Sequence, residues 1–87
     1  MKRPSPYDVV IPTSNMGVFN GATKRERKSL LDLFDRLATN PVTESVWTMD
    51  DTTGRTHCRI AVGRFLLTYW ADHAAREVRI VKLERIG

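Results

Sequence analysis

The chain has 87 residues, enough for one domain with one modest core and no second. Fourteen Lys and Arg against ten Asp and Glu give a net charge of +4, and a pI near 9.7, which suits a polyanionic or acidic partner without choosing among RNA, DNA and protein. A single cysteine, Cys58, excludes an internal disulfide, and one Cys with two His in no paired spacing excludes a usual structural zinc site. No apolar run is long enough to span a membrane, and the opening MKRPSPYDVV lacks a signal-peptide core, so a soluble, cytoplasmic protein is expected.

Taken in order, Lys2, Arg3, Pro4 and Pro6 make a loose basic lead-in. Residues 7–11 (YDVVI) predict a strand that Pro12 ends, since Pro lacks a backbone donor. Residues 13–22 (TSNMGVFNGA) are polar and rich in Gly and Asn, too broken for a long helix; at most one helical turn is expected there, with Met16, Val18 and Phe19 anchoring the loop to the core. Thr23-Lys24-Arg25-Glu26 fits the capping-box pattern and opens the clearest helix. Leu30, Leu33, Phe34 and Leu37 recur at helical spacing until Asn40-Pro41 stops it. Lys24, Arg25, Arg27 and Lys28 crowd the first turns, where the helix dipole disfavours positive charge; they are read as a solvated basic face or as a contact for a nucleic acid or acidic partner.

Residues 42–49 (VTESVWTM) predict a short strand around Trp47, and Asp50-Asp51-Thr52-Thr53-Gly54 is turn chemistry. Three runs then alternate with breaks: HCRIAV, FLLTYWA and VRIVKL, an antiparallel meander. Gly63-Arg64 suits a two-residue type II′ turn, which sets Val62 opposite Phe65, Ile60 opposite Leu67 and Cys58 opposite Tyr69. Strict alternation puts those six on one apolar face, together with Val81 and Leu83. The other face receives His57, Arg59, Ala61, Leu66, Thr68 and Trp70, with Val78, Ile80 and Lys82. The expected fold is α+β in two layers: one helix on an antiparallel sheet of about four strands. A lone helix covers one face only. Leu66, Trp70, Val78 and Ile80 are therefore expected as a partner-binding patch on the other, for another protein or a second copy.

The segment RIAVGRFLLTYW, followed by EVRIVKL, resembles the RelE/ParE toxin superfamily: a strand ending in Val-Gly, a second ending in Tyr, then a Val/Ile-rich basic strand. The resemblance covers about residues 55–86 and implies a single RelE-like toxin domain over residues 1–87, neutralised by an antitoxin. RelE-type members cleave mRNA on the ribosome; ParE-type members share the fold and poison DNA gyrase. For the nuclease branch, 2′-hydroxyl attack needs proton transfer and a cation near the phosphorane-like transition state, and no metal or cofactor. The resemblance then implies Arg59, Lys82 and Arg85 as the catalytic cations; His57, on the same expected face as Arg59, is the candidate local acid or base, and the basic cluster Lys24, Arg25, Arg27 and Lys28 is the candidate nucleic-acid contact. Leu66 stands where that branch commonly has Arg, and the chain stops at Gly87 before the tail that often adds a catalytic Tyr or His. A gyrase inhibitor, or a toxin-like fold that only binds, therefore stays open. Tyr69 is expected in the core and His73 in an exposed turn.

Overall fold

The computed structural model describes residues 6–41, 47–50, 52 and 54–86, with the backbone alone at Trp47, Met49 and Asp50. The lead-in 1–5, residues 42–46 of the expected strand, Asp51 and Thr53 of the expected turn, and Gly87 lie outside the described residues. Seven elements follow one another: β1 (Asp8–Val10), α1 (Thr13–Asn20), α2 (Lys24–Thr39), β2 (Trp47–Asp50), β3 (Thr56–Val62), β4 (Phe65–Asp72) and β5 (Glu77–Arg85). They form the α+β arrangement expected, with helices against a sheet of order β1-β5-β4-β3-β2. The run from β2 to β5 is antiparallel, and β1 adds a fifth strand parallel to β5.

The β3–β4 hairpin has the register that its turn requires: Val62 faces Phe65, Ile60 faces Leu67 and Cys58 faces Tyr69. Gly63 takes φ +56° and Arg64 stays out of the positive region, as a type II′ turn demands. At α2, Thr23 accepts from the Glu26 amide while Glu26 accepts from the Thr23 amide, so both halves of the capping box are made. Leu30, Leu33, Phe34, Leu37 and Ala38 bury one stripe of this helix against Cys58, Ile60, Phe65, Leu67, Tyr69, Val78, Ile80 and Leu83.

β5 departs from strict alternation. A β-bulge between Thr68 and Tyr69 pairs Thr68 with Lys82 but Tyr69 with Ile80, leaving Val81 as an extra residue. Parity therefore reverses along the strand. Val78 and Ile80 turn into the core, at 0% and 2% exposure, and Leu83 does so beyond the bulge. Val81, expected in the core, is 42% exposed.

Residues 13–22 also differ from expectation, since eight of them form α1. Its amphipathicity is weak, and what holds it is tertiary. Phe19 stacks on Phe34 with centroids 6.5 Å apart. The buried Asn15 amide donates to the Val81 carbonyl at 3.2 Å and accepts from the Leu83 amide at 3.3 Å. Past Arg79, where pairing with β1 stops, this side chain continues the ladder along β5. One asparagine thus closes a stretch of sheet edge that would otherwise bury unpaired backbone groups.

Candidate functional site

Among the described residues both helices lie away from one sheet face, and the cross-strand register arranges that face in rows. The central row runs from Trp47 to Arg59, Thr68 and Lys82, one residue from each of β2 to β5. Arg59 and Lys82 stand two strands apart, so their Cα atoms are separated by about 10 Å, a span that both long side chains can close onto one anion. Thr68 between them is only 5% exposed although no helix covers it. The Arg59 Nε–H is buried and makes no hydrogen bond among the described residues, which leaves a charged donor with unused capacity. Lys82 is a contrast: its side chain is 63% exposed and, among the described residues, lies 3.6 Å from Glu84. Such an exposed pair contributes about 0–1 kcal/mol and yields readily to a stronger anion. His57 precedes Arg59 by two residues on the same strand, with Met49 opposite on β2.

Arg85 does not join this cluster. It donates from two guanidinium nitrogens to the two Glu26 oxygens, both at 3.2 Å, and its guanidinium lies 4.8 Å from the Phe65 ring centroid. That is the helix side of the sheet. Lys82 and Arg85 are three residues apart on one strand beyond the bulge, and an odd spacing sends side chains to opposite faces. The Thr23 backbone amide foremost, and Arg85 after it, hold the Glu26 carboxyl below its ordinary pKa.

The expected partner patch loses half its members. Val78 and Ile80 are core residues, inverted by the bulge; Leu66 and Trp70 remain on the helix-free face, both half-buried. Trp70 is not bare. The Arg55 guanidinium sits 3.9 Å from its ring centroid and that of Arg79 6.0 Å away, a cation–π arrangement. Arg79 is further tied to Glu77 at 2.7 Å and Asp72 at 3.8 Å. Neither arginine was singled out from the sequence. Arg79 stands directly opposite Trp70 in the register, and placing the bulge would have revealed it. Arg55 precedes β3, where no periodicity gives a direction.

Lys24, Arg25, Arg27 and Lys28 occupy the first turns of α2, beyond the covered side of the sheet and apart from Arg59 and Lys82. His73 lies in the β4–β5 turn, where its Nδ1 shares a 2.7 Å hydrogen bond with the Tyr7 hydroxyl. Tyr69 is fully buried and donates to the Pro41 carbonyl at 2.6 Å, which makes it structural. Among the described residues no group of three or more His, Cys, Asp and Glu could hold a metal ion, and no helix is long and apolar enough to cross a membrane.

No protein-family model matches the chain, and no characterised protein sequence does. Solved structures do. The chain superimposes with a TM-score of 0.81 on a structure described as the archaeal RelE–RelB complex from Pyrococcus horikoshii, at 20% identity, covering 94% of this chain and 97% of that one. It superimposes with a TM-score of 0.76 on the toxin–antitoxin complex RelBE2 from Mycobacterium tuberculosis, at 16% identity, covering 92% and 98%. The chain has the RelE-like fold over nearly its whole length.

Proposed function

We propose that this protein is the toxin of a type II toxin–antitoxin pair, acting in the cytoplasm as a ribosome-dependent mRNA endonuclease through its helix-free sheet face. The observation that carries this reading is the Arg59–Thr68–Lys82 row, with a buried Arg59 Nε–H that makes no hydrogen bond among the described residues. In the reaction, a ribose 2′-oxygen attacks the adjacent phosphorus, giving a cyclic phosphate and expelling the 5′-oxygen. The attacking hydroxyl loses one proton and the leaving oxygen gains one. Arg59 supplies a fixed donor to the phosphorane-like charge, Lys82 a mobile one, and His57 the proton transfer. Arg85 acts instead by holding β5 to α2. Both structural neighbours were solved with their antitoxins, which supports an antitoxin partner here, with Leu66 and Trp70 as contacts on the same face.

A second reading, inhibition of DNA gyrase, is favoured by Leu66, which stands on this face where the nuclease branch commonly has Arg. A toxin fold that only binds follows if neither activity appears. Inducing the protein while following translation and plasmid supercoiling in parallel separates all three. Rapid translation arrest with cut mRNA is expected; altered supercoiling with intact mRNA selects the gyrase reading.

A further inference from the structure

Trp70 shares the helix-free face with the Arg59–Thr68–Lys82 row. It stands two residues beyond Thr68 on β4, and so about 7 Å along the strand from it, on the scale of one step of an extended RNA strand. The ring is half-buried and flanked by two guanidinium groups. That of Arg79, opposite in the register, lies 6.0 Å from the ring centroid and is tied to Glu77 and Asp72. That of Arg55 lies at 3.9 Å, and Arg55 is an exposed residue just before β3. A planar cation so close to the centroid is at stacking distance, so the ring already offers a face to a flat, delocalised group. Open space of about 300 Å³ adjoins both side chains, bounded also by Thr56, Cys58, Ala71 and His73. Arg55 therefore has room to move off the ring.

We propose that Trp70 is a nucleobase-stacking subsite for single-stranded RNA. It takes the base one step along the strand from the phosphate held by Arg59 and Lys82, and Arg55 moves off the ring to close over that base. The subsite rests on the RNA-cleavage reading and deepens it by naming a residue that sets sequence preference. Unpaired RNA bases are held by stacking on aromatic rings and on guanidinium planes; Trp70 and Arg55 supply one of each. Charge favours RNA over an apolar protein anchor. Arg55, Arg59, Arg79 and Lys82 surround the ring on this face, suited to a strand with a phosphate at every step, while Asp72, Glu77 and Glu84 are engaged by Arg79 and Lys82. Stacking strength, with no reading of the base edge, then favours a purine over a pyrimidine.

The test uses the full chain and a labelled 2′-O-methyl pentanucleotide, which cannot be cut because its 2′-oxygens are blocked. One strand carries a central adenosine among uridines; the other has an abasic centre. By fluorescence anisotropy the parent should bind the adenosine strand about fivefold more tightly. Trp70→Leu should erase that difference, and Trp70→Phe should keep most of it, because a smaller ring still stacks. Arg59→Ala should weaken both strands alike, since a phosphate contact ignores the base. In a Trp47→Phe background Trp70 is the only tryptophan, and the unlabelled adenosine strand should quench its fluorescence more than the abasic one. That quenching, with the parent's own preference, decides the matter even if Trp70→Leu fails to fold by circular dichroism. The subsite is overturned if neither strand binds, if the parent binds both equally, or if folded Trp70→Leu keeps the preference, any of which leaves Trp70 to a protein partner. It is overturned too if adenosine monophosphate at the same concentration quenches Trp70 as fully, which would assign the ring to a free nucleotide. Neither strand is cut, so a protein that keeps the Trp70-dependent preference yet never cleaves mRNA refutes the nuclease reading alone.

Discussion

Arg85 and Glu26, 59 residues apart in sequence, join through two hydrogen bonds of 3.2 Å and clamp the end of β5 to the first turn of α2. The same carboxylate closes the capping box with Thr23. It therefore serves two elements at once, and its ionised form is the one both contacts favour.

A folded-state pKa held below the ordinary value means that Glu26 stabilises the fold above the unfolded carboxylate pKa and ceases to do so as pH falls through the folded one. Glu26→Gln should lower the urea midpoint at pH 7, and the gap from the parent should shrink steadily below about pH 4. A gap of the same size at pH 7 and pH 3 would show that the clamp is not formed in solution.

Asn15 supplies the second long-range tie. Asn15→Ala leaves the Leu83 amide and the Val81 carbonyl without partners at a buried edge, which should cost about 1–3 kcal/mol. Hydrogen exchange at the Leu83 amide should accelerate well beyond that at Leu67, which is paired within the sheet. Equal acceleration at both sites would mean that α1 contributes only to global stability.

Most of the fold is legible where one local rule decides the geometry. Gly63 determines the β3–β4 turn, and with it every pair from Val62–Phe65 to Cys58–Tyr69. Thr23 and Glu26 mark the start of α2. Alternation fails at one bulge, and that single residue moves Val78 and Ile80 into the core and Val81 out of it. Nothing in the β5 sequence marks the bulge, because Ile80, Val81 and Leu83 are equally apolar. α1 was hidden for a related reason: Asn15 reads as a loop residue until β5 is there to receive its amide. The central pair was accessible, since Arg59 and Lys82 share a face on either account of the register. Arg85 was separable too, being an odd number of residues from Lys82.

Tyr69 offers a check on the boundary between core and chemistry. Tyr69→Phe removes the 2.6 Å hydrogen bond to the Pro41 carbonyl and should cost about 1–2 kcal/mol, seen as a lower urea midpoint. Because the hydroxyl is fully buried, RNA cleavage at a temperature where the variant is folded should match the parent. A large loss of cleavage by folded protein would make the phenol catalytic.

The central claim is that the helix-free face, not the helix side, carries the chemistry, and single-turnover cleavage of ribosome-bound mRNA tests it most directly. Arg59→Ala and Lys82→Ala should each slow the chemical step by ~10²–10³-fold, the scale of losing one transition-state donor. Arg85→Ala should lower stability and leave the rate within a few-fold of the parent, since its guanidinium is committed to Glu26. The reverse pattern, with Arg85→Ala inactive though folded and the Arg59 and Lys82 variants cutting at the parental rate, would contradict the account.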